Sequence, residues 1–153
     1  AKNELSKAEE SYNEALKIYR QLAEVNPEAY LPDVGMTLNN LANLQRAKNE
    51  LSKAEESYNE ALKIRRQLAE VNPEAYLPDV GMTAMNLSIF YIQSIQDKTK
   101  SLAYVKEAIT ALLPSYETLP RAKQYLQTCI QILQAWEVDP GAFIENLLKE
   151  QNE

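Results

Sequence analysis

The sequence predicts an all-α fold, an array of antiparallel helix pairs stacked as a solenoid with about seven helices. Three observations carry that expectation. Residues 47–83 repeat residues 1–37 with one change, Tyr19 to Arg65, so the chain has an internal period of 46 residues. Repetition on this scale marks an array whose units bury their apolar faces against neighbours. The composition, with 3 glycines in 153 residues and many Ala, Leu, Glu, Lys and Gln, favours helix throughout. No Val/Ile/Thr-rich alternating run bounded by turn residues suggests a strand.

The first helix is expected over Glu4 to Val25, where Leu5, Ala8, Tyr12, Ala15, Leu16, Leu22 and Ala23 recur at spacings of three and four. Glu9, Glu10, Glu14, Lys7 and Lys17 read as its solvated side. Asn26-Pro27 ends it, because proline disfavours the helical region in the residue before it. Glu28 to Leu31 reads as a turn, and Pro32-Asp33 as the start of a second helix reaching about Ala47. Lys48-Asn49 is a short turn, Glu50 to Val71 the third helix, and Pro78 the start of a fourth that runs to about Gln96. Lys100 to Leu113 follows, ended by Pro114. Pro120 opens a sixth helix ending near Trp136, and Asp139-Pro140 is a cap-and-start signal for the last. The domain expectation is one array: a partial first repeat (1–30), a full repeat (31–76), a divergent repeat (77–118) and C-terminal capping helices (119–153).

Composition narrows the functions. A formal charge of −6 argues against non-specific nucleic-acid binding, which needs a basic surface. No apolar run approaches a membrane span of roughly 18 residues. Ala1 opens directly onto a charged helix, so no leader is expected, and the single Cys129 fits a reducing compartment; the expected location is cytoplasmic. The chain has no histidine, the commonest general base and metal ligand. Cys129 reads as a core thiol, and neighbouring glutamates such as Glu9-Glu10 cannot face one another on a helix. Gly35, Gly81 and Gly141 are isolated and form no phosphate loop. The expectation is no enzyme, no cofactor and no metal.

The pattern resembles the tetratricopeptide repeat, whose signature is W-x2-L-G-x2-Y, then A-x3-F, then Pro. Leu38-x2-Leu41-Ala42-x2-Gln45 and Ala84-x2-Leu87-Ser88-x2-Tyr91 follow the first part; Ala8-x3-Tyr12 and Ala54-x3-Tyr58 follow the second. The repeat exceeds the usual length of about 34 residues. With its Leu-Asn-Asn-Leu-Ala run it is similar to the longer-repeat relatives typified by kinesin light chain. The near-identity of the copies suggests recent duplication, excision from a longer array, or design. The resemblance implies a right-handed superhelix whose first helices line a concave groove that holds peptides.

On that basis Asn39, Asn40, Asn43 and Arg46 are expected to form one amide-rich wall, Met85, Asn86 and Ile89 an apolar floor, and Gln127 and Gln131 a second amide wall. Side-chain amides both donate and accept, so they can grip an extended peptide backbone without reading charge. Asn43 occupies the ladder position of related long repeats, and Ile89 interrupts that ladder one repeat on. The alternative is that C-terminal helices cover Met85, Ile89 and Ile92 while the amides are merely solvated. The expected partner is a protein or peptide. Two further readings are a self-assembling repeat module and the sensor segment of a larger signalling protein. Self-association, as a homodimer, is expected through Leu5, Tyr12, Leu16 and Tyr19 of the first helix, whose outer side lacks a partner helix.

Overall fold

The computed structural model describes residues 2–153; Ala1, where the partial first repeat is expected to begin, lies outside them. The described residues are all-α, in seven helices and no strand: α1 (Lys2–Val25), α2 (Pro27–Ala47), α3 (Leu51–Val71), α4 (Pro73–Gln93), α5 (Lys98–Leu112), α6 (Pro120–Ala135) and α7 (Pro140–Gln151). A 3-10 turn, Leu113–Ser115, follows α5 where Pro114 breaks the α-helical bonding. Two compact units divide the chain, one up to Tyr76 and one from Leu77.

In the first unit α2 packs against both α1 and α3. Gln45 meets Ser57 and Asn43 meets Tyr58, so α2 and α3 run antiparallel. Arg20 pairs with Glu60, which sets α1 and α3 side by side and parallel. The core between them is Leu16, Ala23, Val34, Leu38, Leu41 and Ala61, flanked by Tyr12, Tyr19, Tyr30, Leu31 and Ile64. Each fully buried leucine of this kind contributes roughly 1.5–3 kcal/mol of transfer free energy. An ion cluster ties α1 to the α2–α3 turn: Lys48 Nζ lies 2.9 Å from Glu9 and 3.2 Å from Glu50, which also meets Lys53 at 3.0 Å.

The starts of α2 and α4 correct the sequence expectation. Both helices begin at Pro27 and Pro73, one turn before Pro32 and Pro78. Asn26 caps the Ala29 amide at 3.4 Å and Asn72 caps the Ala75 amide at 3.2 Å, with proline at the first helical position where no donor is needed. Pro32 and Pro78 then sit inside a helix, but each deprives only the carbonyl four residues back, on exposed Glu28 or Glu74, of its donor. Similarly α5 starts at Lys98, because Asp97 caps the Lys100 amide at 3.0 Å.

The second unit repeats the plan with different chemistry. Ser88 on α4 and Ser101 on α5, both fully buried, each donate to the other's backbone carbonyl, at 2.7 and 2.9 Å. Trp136 Nε1 donates to the Ser101 hydroxyl at 2.8 Å. Tyr91 and Tyr104 stack with ring centroids 5.7 Å apart. Arg121 reaches Asp79 at 3.2 Å and the Tyr125 hydroxyl reaches Met82 Sδ at 3.1 Å, placing α4 and α6 parallel. Asp139 caps α7 through the Ala142 amide at 3.1 Å.

Turn closure is also specific. The Glu50 amide bonds the Gln45 carbonyl and the Asn49 amide the Arg46 carbonyl, a Schellman motif with Asn49 left-handed at φ 62°. The same pair of bonds closes α6 around Glu137 at φ 60°.

Candidate binding surface

Between α4 and α6 of the second unit lies an open pocket of about 340 Å³, lined by Ile89, Ile92 and Gln93 from α4 and by Thr128, Gln131, Ile132 and Ala135 from α6. One helical turn separates Ile89 from Ile92 and Gln93, and another separates Thr128 from Gln131, so each helix offers one face to the same space. The floor is aliphatic, with Ile89 and Ile92 half-buried and Ile132 buried, while Gln93 and Gln131 are exposed at its rim. Thr128 bonds its hydroxyl to the Gln124 carbonyl of its own helix at 3.3 Å. The pocket can therefore take an apolar side chain, with two amides beside it able to donate and accept.

Of the residues expected on the floor and second wall, Ile89 and Gln131 meet in this pocket. Asn86 is half-buried, and Gln127 is exposed on α6 without lining the pocket. Met85 departs from the expectation, being only 7% exposed, because α4 is packed by both α5 and α6. Gln93, Ile132 and Ala135 were not anticipated. Their signal was present in the spacing of four that links Ile89 to Gln93, Thr128 to Ile132 and Gln131 to Ala135.

On α2 of the first unit, Asn40, Asn43 and Arg46 are half-buried, spaced three apart along one line of the helix. Asn39, expected beside them, is 2% exposed, since α1 and α3 cover α2 on two sides. The Asn43 side-chain oxygen accepts from the hydroxyl of fully buried Tyr58. Burial pushes the Tyr58 phenol up to about 12, which keeps it a donor. Asn43 is therefore part of the folded structure as well as of the surface. Nη1 of Arg46 is buried and makes no hydrogen bond among the described residues.

The exposed apolar residues of α1 also differ from those expected. Leu16 is turned into the core against Leu38 and Leu41, while Leu5, Tyr12 and Tyr19 are half-buried. The residues that face solvent are Ile18 (54% exposed), Leu22 (39%) and Val25.

Burial pushes the Cys129 thiol up to about 12, so it remains protonated at neutral pH. Among the described residues no group of three or more His, Cys, Asp or Glu side chains is placed to hold a metal ion, and no helix is long and apolar enough to cross a membrane.

Helical hairpins whose sequence recurs, offering shallow apolar and amide surfaces, define the class of helical-repeat proteins. A family model described as tetratricopeptide repeat matches residues 5–67, from α1 through most of α3. No curated protein and no solved structure matches the chain. Tetratricopeptide repeats form a non-catalytic fold that generally mediates protein–protein interaction.

Proposed function

We propose that the chain binds an extended segment of a protein partner, and that the pocket between α4 and α6 receives one of the partner's apolar side chains. The observation that carries this reading is the joint lining of one open pocket by the aliphatic Ile89 and Ile92 and the exposed amide of Gln131. Aliphatic side chains on the floor reward burial of a Leu, Ile or Met, and the rim amides supply hydrogen bonds to peptide groups that would otherwise lose water. Asn86 and Gln127 extend this surface along α4 and α6. On α2, Asn40, Asn43 and Arg46 form a second contact row.

Peptides selected against the intact chain from a random display library provide the test. Ile89→Glu should weaken them by about tenfold or more, since a carboxylate would then occupy the apolar floor. Gln131→Ala should cost about three- to tenfold through the lost hydrogen bond. Selected peptides that all bind Ile89→Glu as well as the parent would overturn the assignment.

A further inference from the structure

Two open cavities lie end to end in the furrow between the parallel helices α1 and α3, and both are lined by Arg20 and Glu60, whose ion pair joins one wall to the other. The cavity nearer the start of α3 measures about 250 Å³ and has Leu16, Leu38 and Leu41 at its bottom. Glu56 and Glu60 stand on its α3 wall, one turn apart on the same face of that helix. Gln45 of α2 lines it too and is only 5% exposed. The Gln45 side-chain oxygen accepts from Ser57 at 2.7 Å, yet its amide nitrogen makes no hydrogen bond among the described residues. A donor so placed is satisfied only from within the cavity, which favours a ligand carrying a carbonyl.

The furrow does not depend on what precedes α1. Ser57, Tyr58 and Ile64 are the α3 residues that meet α2, and their counterparts on α1 are Ser11, Tyr12 and Ile18. Asn13, Leu16 and Arg20, the α1 side of the cavity, lie about a third of a turn away round the helix. A further helix on α1 would therefore leave the cavity open. Leucine beneath and carboxylate above suit one kind of side chain, a long aliphatic stem that ends in a cation. Arg20 shows which cation fits, because its guanidinium already rests on Glu60. We propose that this cavity is a binding site for an arginine side chain from a basic segment of another protein, which displaces Arg20 from Glu60. The stem lies on Leu38 and Leu41, the guanidinium bridges Glu56 and Glu60, and a backbone carbonyl of the same segment accepts from Gln45. The formal charge of −6 draws such a segment in. Neither the helices nor the chemistry are those of the α4–α6 pocket, so either site can fail without the other.

The probe is the peptide acetyl-Gly-Ser-Ala-Arg-Ala-Ser-Gly-amide, titrated into the intact chain at low salt and followed by the protein's amide chemical shifts. Saturable shifts are expected along α1 and α3. The same peptide with citrulline, the uncharged isostere of arginine, should bind at least about threefold more weakly. Glu60→Gln should weaken the arginine peptide about three- to tenfold. Arg20→Gln should instead tighten it about threefold, because the competing cation is gone. Arg20 and Glu60 are both about half-exposed, so losing their pair leaves the fold intact. Lys149→Gln, an equal change of net charge on exposed α7, should leave the affinity unaltered. No saturable shift at about 10 mM peptide overturns the proposal, as does equal binding of the citrulline peptide. So does a Lys149→Gln effect as large as that of Arg20→Gln, since the attraction would then be to the whole surface. Shifts confined to α4 and α6 would place the arginine in the other pocket and overturn it too.

Discussion

Gly35 and Gly81 occupy the same place in two copies of one sequence, yet alanine should act on them in opposite directions. A β-carbon at Gly35 would lie 3.4 Å from Arg65 Cγ, ordinary contact with a flexible side chain. Gly35→Ala should then gain roughly 0.5–1 kcal/mol of helix propensity. At Gly81 the same atom would lie 2.5 Å from Leu112 Cγ and 2.6 Å from Cδ2. Leu112 is fully buried, and the nearest atom is its branch point, so the clash cannot be relieved by swinging a free end. Overpacking of this kind costs about 1–3 kcal/mol, which outweighs the propensity gain and leaves Gly81→Ala destabilised by roughly 1–2 kcal/mol. Urea unfolding separates the two. The only tryptophan, Trp136, is bonded to Ser101 in the second unit and reports Gly81→Ala by fluorescence, while far-UV circular dichroism follows Gly35→Ala. Equal shifts of the same sign would refute the argument from local packing.

Two further predictions concern the first unit. Asn43→Ala should lower stability by about 1–3 kcal/mol in the absence of any ligand, because the fully buried Tyr58 hydroxyl loses this acceptor; calorimetry of the free protein checks it. The carboxyl of Glu50 is held down to about 2, chiefly by its hydrogen bond from Lys53, with Lys48 adding to it. A depressed carboxylate contributes its stability above the unfolded value of 4.5 and loses it as pH falls toward about 2. Protection factors in the first turns of α3, taken relative to intrinsic exchange at each pH, should therefore fall over that interval, and Glu50→Gln should flatten the change; protection that is level from pH 5 to 2 in the parent would contradict it.

The period and the helix-forming composition made the all-α fold legible, and both came from identity between copies and not from subtle pattern. The repeat-signature positions Leu38, Leu41, Ala54, Tyr58 and Leu87 were readable from their spacing along each helix, and all are buried. The early starts of α2 and α4 were missed because two prolines five residues apart compete for the first helical position, and the choice falls to the side-chain caps of Asn26 and Asn72. Among the surface residues, Ile89 and Gln131 share a pocket, whereas Asn39 and Met85 are covered. Spacing along one helix shows which residues share a face but not how many sides of that helix its neighbours occupy. For the same reason Leu16 was placed on the outside of α1 when it points into the core.

The paired serines at the α4–α5 crossing bear on how such a chain diverges. Ser88 stands 46 residues after Ala42, and Ser101 follows its cap Asp97 as Ala54 follows Glu50; all four are fully buried. Each serine hydroxyl is received by a main-chain oxygen of the opposite helix. Main-chain oxygens are present whatever side chain their residue bears, so either alanine can become serine first and still find its acceptor across the crossing. Neither order of change passes through a stranded hydroxyl, and the helices need not separate to admit one extra atom on each side. The Ser101 hydroxyl has a further use that an alanine could not supply: it gives Trp136, just beyond the end of α6, a place to donate.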